Sequence, residues 1–320
     1  MKNINLKNKI QLKHIGKIFS LQNIIFFIVL YLMIALILNP TKYITSASEG
    51  IMLWATNLLP ALFPFFILTK LIMEFDLLET SARFMSKLMK KIFNTSGNSG
   101  YLFLISIFSG YPIGSKIVAD AYMSKKIDYT ELHRLITFTS VSGPLFIIGT
   151  VGINMLENPI CGYIIIISHI LSAILNGVCY KNFIPHKLCY VKSLDAKKTP
   201  KNILTYAVKN SVESILLIGG LVCLFYVGMD AISSIVTLPP IIQGILEITK
   251  GCYEISISNI SIQLKTIICT GLITFGGLCI HSQAMSFLKE CNISYKFFFT
   301  QKCLQTFFSI VISSLLVLFI

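Results

Sequence analysis

Residues 109–120 read "SGYPIGSKIVAD" and lie inside one of the most apolar parts of the chain. Gly110, Pro112 and Gly114 disfavour a regular helix, and the oppositely charged Lys116 and Asp120 follow directly. In hydrocarbon every backbone N–H and C=O must be paired. An interrupted helix therefore survives only where protein or a wet cavity surrounds it. The stretch predicts a broken membrane helix with a charge placed just past the break.

The surrounding composition agrees. Of 320 residues, 54% are hydrophobic and only 13% charged, with a mean hydropathy of +0.76. A soluble domain of this length needs more charge to cover its surface, so a helical membrane protein is indicated. Ser20–Asn39, Ile51–Met73, Ile160–Tyr180, Leu204–Val227 and Tyr295–Ile320 each approach or exceed the roughly 20 apolar residues that a crossing needs. The expected fold is an all-α polytopic membrane protein, built as an inverted repeat with broken or re-entrant helices.

The net charge of +13 does not indicate nucleic acid, because the lysines are gathered between apolar runs. Residues 1–19 hold five lysines and no acid, and residues 181–201 hold six lysines against Asp195. Both segments are expected in the cytoplasm by the positive-inside rule. The partners expected are a lipid bilayer and a small anionic substrate. Nine cysteines without a C-x-x-C pair read as small buried hydrophobes, not as a disulfide frame or metal site. The lysine-rich start, the apolar run and "TSASEG" at 45–50 imitate a signal peptide. The run is longer than the usual 7–15 residues, so an uncleaved first membrane helix over 20–39 is expected.

Pro60 and Pro64 predict a kink in the second helix, and 82–93, with Arg83, Lys87, Lys90 and Lys91 among apolar residues, predicts a helix lying at the membrane face. Two interrupted segments follow, Tyr101–Met123 and Leu135–Leu156, then the linking helix 160–180. "FSGYPIGSK" from Phe108 and "FGGLCIHSQ" from Phe275 share F-[SG]-G-x-x-I-x-S, which suggests a duplication over 45–156 and 202–320. With 1–19 and 181–201 both inside, the two units face opposite ways, and one interrupted segment before residue 180 must be re-entrant.

A break creates a half-helix start, whose unsatisfied N–H groups and positive dipole end attract anions. Candidate substrate-binding residues are Gly110, Pro112, Gly114, Ser115 and Lys116; Ser142, Gly143 and Pro144; and Gly276, Gly277, His281, Ser282 and Gln283. Lys116 can instead form an i, i+4 ion pair with Asp120, and His281 can be an interior histidine with its bonds satisfied. Asp120, Glu247 and Thr249 are candidates for a coupling ion or proton. No H-E-x-x-H, Walker A or G-x-S-x-G motif occurs, so neither an enzyme nor a cofactor is expected.

The quoted strings, with "SEGIMLWATNLLPALFPFFIL" from Ser48 and "FTSVSGPLFIIGTVG" from Phe138, resemble the sporulation integral membrane proteins of the YlbJ type. That family falls within the nucleoside-recognition (Gate) domain group, which is related to concentrative nucleoside transporters. The resemblance covers residues 45–320. It implies a role in endospore formation, in the mother-cell membrane around the forespore, and movement of dipicolinic acid, a small planar dianion. A nucleoside or nucleobase transporter and a non-transporting scaffold in cortex assembly are the alternatives.

Overall fold

The computed structural model describes residues 21–74, 77–185 and 202–320. The lysine-rich segment 1–19 and residues 186–201 of the second basic loop lie outside the described residues. Among the described residues the regular structure is helical, as expected. Helix α1, Leu21–Leu38, turns through 111° at Asn39 into α2, Pro40–Leu53. A π-helical turn, Trp54–Leu58, joins α2 to α3, Leu59–Glu74, which carries Pro64. The distortion forecast from the prolines thus begins just before Pro60, as a widened turn.

Helix α4, Leu77–Phe93, is amphipathic. Met89 and Phe93 are buried, whereas Phe84 and Leu88 are exposed beside Lys87, Lys90 and Lys91. Phe93 stacks on Phe138 at 4.1 Å between ring centres, tying α4 to the interior. The first interrupted segment follows as α5, Asn98–Ser109, and α6, Ile113–Met123, which pack against each other. At 1.5 Å per residue each rises less than about 20 Å, too little to cross roughly 30 Å of hydrocarbon. Neither limb of this pair alone reaches across. Glu131 on α7 pins its start by accepting hydrogen bonds from the Ser96 N–H at 2.8 Å and the Ser99 hydroxyl at 2.5 Å.

The second interrupted segment is α7, Tyr129–Thr139, an irregular stretch 140–144, and a π-helix, Leu145–Met155. Helix α8, Pro159–Cys179, then runs unbroken. The same succession recurs. The long helix α9, Ile203–Ser233, leads to a second packed pair, α10 (Pro240–Leu246) and α11 (Ile248–Ile257). A Cβ on Gly251 would come within 2.0 Å of the Gly244 Cα, so glycine lets the two limbs meet. Then come α12, Ile262–Phe275, broken at Gly276 from α13, Gly277–Leu288, and the final α14, Tyr295–Leu316.

The halves interlock. Helix α6 packs on α13, α11 packs on the π-helix, and α8 and α14 lie side by side, as a two-fold relation between halves requires. This order corrects one expectation. Gly276 corresponds in place to the break at 140–144, and the Gly110 turn corresponds to the turn at Glu247. The similar strings at Phe108 and Phe275 are therefore not at equivalent places. They look alike because both breaks need glycine with a positive φ, +73° at Gly110 and +90° at Gly276.

By length and composition, Pro159–Cys179, Ile203–Ser233, Ile262–Cys291 and Tyr295–Phe319 can each cross a membrane, and the pair bent at Asn39 is either a fifth, broken span or a re-entrant loop. The outer faces present Phe26, Ile37, Leu216, Leu224, Phe307 and Leu315, all exposed. The chain is a multi-pass integral membrane protein.

Candidate functional site

The breaks meet. A Cβ on Gly110 would lie 2.4 Å from the Gly143 nitrogen, so the first hairpin turn rests on the break of the α7–π-helix segment. Around this contact lies a cavity of about 150 Å³. Its wall takes residues at or near four half-helix starts: Gly110 and Tyr111 before α6, Ser142, Gly143 and Leu145 around the π-helix start, Glu247 to Thr249 at α11, and Cys279, Ile280 and Gln283 in α13. Apolar side chains such as Leu53, Phe65, Phe108 and Val222 close the remainder.

The four starts are not alike. Glu247, buried and in extended conformation, caps α11 by accepting from the Lys250 N–H at 2.8 Å. The starts of α6, the π-helix and α13 have no side-chain cap. Residues at or near three helix starts that no side chain caps thus border one small space. The Ser109 hydroxyl, in the same wall, is buried without a partner.

Of the residues expected from sequence to form the site, Gly110, Ser142, Gly143, Gln283, Glu247 and Thr249 line this cavity. Others shape it from behind. Gly114 lets α6 approach the end of α7, since a Cβ there would meet the Thr139 carbonyl oxygen at 2.0 Å. Ser115 is buried, with a hydroxyl that has no partner. Pro112, in a cis peptide with Tyr111, precedes α6, Pro144 precedes the π-helix, and Gly276 and Gly277 form the α12–α13 break at positive φ. His281 is satisfied on both sides, meeting the Phe275 carbonyl at 2.8 Å and the Tyr295 hydroxyl at 3.3 Å. With Ser282 it lines a wider cleft of about 620 Å³ between α13 and Tyr295.

Lys116 does not line the cavity. Its ammonium lies 3.4 Å from the Asp120 carboxylate, which also pairs with Lys70 at 3.2 Å. In the other half Asp230, near the end of α9, pairs with Lys250 of α11 at 3.1 Å and accepts a hydrogen bond from Ser46. Each half therefore has an ion pair between its leading long helix and the second limb of its hairpin.

Behind the cavity runs a polar seam between α8 and α14. His169, fully buried, accepts the Ser142 N–H at Nε2, 2.8 Å away. That leaves Nδ1 to donate to Thr274 Oγ1 at 2.9 Å, so the ring is neutral. Lys302, also fully buried, donates to the Tyr111 hydroxyl at 2.6 Å, the Ser140 carbonyl at 3.1 Å and the Gln305 amide oxygen at 2.9 Å. Tyr111 in turn donates to the Thr274 carbonyl at 3.2 Å. Asn176 links the Thr137 carbonyl and Gln301. His169 and Lys302 hold corresponding places: each rises from the last helix of its half and ties down the end of the other half's broken helix.

Lys302, His169, Gln305 and Tyr111 were not expected from the sequence. The signal was present as a four-residue polar spacing, Ser168–Ser172–Asn176 and Gln301–Gln305–Ser309–Ser313, inside runs that read as plain spans.

Comparison with known proteins gives two matches and one absence. The nucleoside recognition (Gate) family profile matches residues 55–142, from the π-helical turn through the first hairpin to the α7 break. The chain is 28% identical over 330 aligned residues to the sporulation integral membrane protein YlbJ of Bacillus subtilis (strain 168), across 90% of this chain and 80% of that one. Both matches agree with the resemblance carried by the quoted strings. No solved structure matches.

Proposed function

From a chain similar along most of its length to a sporulation integral membrane protein, we propose a transporter that carries a small single-ring dicarboxylate, dipicolinic acid foremost, by alternating access. It would act in the mother-cell-derived outer forespore membrane, with the basic N-terminal segment in the cytoplasm. The observation that carries this reading is the meeting of three uncapped half-helix starts at one cavity. Helix starts bind carboxylates through backbone N–H groups without a cationic side chain, so the absence of Lys116 from the wall does not remove the basis for anion binding.

Size narrows the class. Ligand pockets ordinarily measure about 300–1,000 Å³, so a cavity of about 150 Å³ suits one planar ring and not a ring joined to a sugar. Flanking apolar residues would cover the ring faces while Ser109, Ser142 and Gln283 meet its polar edge. The two halves, related by their interlocked hairpins, would rock about the seam between α8 and α14.

One observation favours a second reading. Glu247 places an acid in the wall, which suits a neutral nucleobase better than a dianion. Liposomes containing the purified protein decide between them. Labelled dipicolinate should exchange against unlabelled dipicolinate, and Ser109→Leu, which fills the cavity, should abolish the exchange. Exchange of uracil or adenine but not dipicolinate would transfer the assignment to nucleobases. Exchange of neither would remove the transport reading.

A further inference from the structure

Lys302 is buried at membrane depth with its side-chain nitrogen among three oxygen acceptors, and among the described residues no carboxylate pairs with it. Its three partners are neutral oxygens: a hydroxyl, a main-chain carbonyl and an amide. They stand 2.6–3.1 Å from the nitrogen. The main-chain partner is Ser140, the residue that closes α7, so the ammonium sits at the negative end of that helix. The Ser140 hydroxyl is buried there with no partner of its own, a further oxygen at the same residue. An unwound carbonyl, a half-helix carboxyl end and side-chain oxygens form the kind of shell in which a broken-helix transporter holds a coupling sodium ion.

We propose that Lys302 is a resident cation. Its ammonium fills a monovalent-cation site formed by Tyr111, Ser140 and Gln305, so the chain works without binding sodium or potassium there. The corresponding residue of the other half makes the contrast. His169 ties down its broken helix with a neutral ring through directed hydrogen bonds and leaves no cationic position. Only the Lys302 side of the seam is built as a shell of oxygens around one nitrogen. The site lies at the hydroxyl end of Tyr111, and Lys302 is not in the cavity wall. The inference extends the transport reading but is tested separately from it.

The test is thermal unfolding of the purified protein in detergent, in chloride salts of choline, sodium, potassium and ammonium at equal ionic strength. The native chain should unfold at the same temperature in all four. Lys302→Ala empties the site, and ammonium or sodium should then raise its midpoint over choline by about 2–4 °C. Lys302→Met keeps the volume filled and should show no such difference. An Ala variant indifferent to all cations, or a Met variant that responds like Ala, overturns the proposal. The native chain gives a reading that needs no variant: a midpoint raised by sodium over choline also overturns it. No substrate enters these measurements, so failure of dipicolinate exchange leaves their result standing.

Discussion

Gly110 and Gly143 touch backbone to backbone, and the contact is one-sided in what it tolerates. A Cβ on Gly110 would stand 2.4 Å from the Gly143 nitrogen, while a Cβ on Gly143 finds nothing nearer than 3.4 Å. Gly110 also has φ +73° and ψ −168°, a region essentially reserved for glycine. Gly110→Ala should therefore cost about 3 kcal/mol or more and lower the amount of folded protein in membranes. Gly143→Ala should unfold close to the native temperature. Equal loss in both variants would show that the contact does not hold the breaks together.

Lys116 and Lys70 share Asp120. Lys116→Ala leaves Asp120 paired with Lys70 and leaves the cavity wall untouched, so half-saturation by substrate should stay within about twofold, under 0.5 kcal/mol. Asp120→Asn removes the carboxylate that both lysines share and should lower stability by about 1–2 kcal/mol, reduced from the buried-pair figure by its partial exposure. Vesicle uptake measures the first and thermal unfolding the second.

Glu247 both caps α11 and stands in the cavity wall. Glu247→Ala removes the cap and should cost about 1 kcal/mol. Glu247→Gln keeps an acceptor for the Lys250 N–H but removes a negative charge near the ligand. Apparent affinity for a dicarboxylate should rise about tenfold, equivalent to about 1.4 kcal/mol, while that for a neutral nucleobase should not change. Competition in counterflow measures both in one preparation.

His169 bridges the Ser142 amide and Thr274 across the two halves. His169→Ala leaves both groups buried without their partner, at a cost of about 2–4 kcal/mol. His169→Gln, which can present an acceptor and a donor, should recover part of the loss. Midpoints in detergent read the difference, and an Ala variant that unfolds at the native temperature would remove the bridge as a structural link.

The breaks were legible in the sequence because their chemistry is local. Glycine at positive φ, proline without an N–H and serine beside them interrupt an apolar run wherever they occur, and Gly110, 142–144 and Gly276 were all found that way. Pairing the breaks was harder. Gly110 and Gly276 share a string because each begins a half-helix, yet one turns a hairpin and the other bends a continuous span. Lys116 drew attention as a charge beside a break, although an acid at i+4 was available to hold it. Lys302 stands in a stretch that reads as an ordinary final helix, and its partners Tyr111 and Ser140 lie more than 160 residues away. Such a site is set by tertiary closure, which local periodicity does not carry.

The Tyr111 ring lies 5.0 Å from the Lys302 nitrogen and also borders the cavity. Its hydroxyl end holds the Lys302 nitrogen at 2.6 Å, so one side chain belongs both to the cavity wall and to the seam. A ligand that displaces Tyr111 would disturb the grip on Lys302 and, through the Ser140 carbonyl, the end of α7. Tyr111 would then act as a lever with one arm in each place.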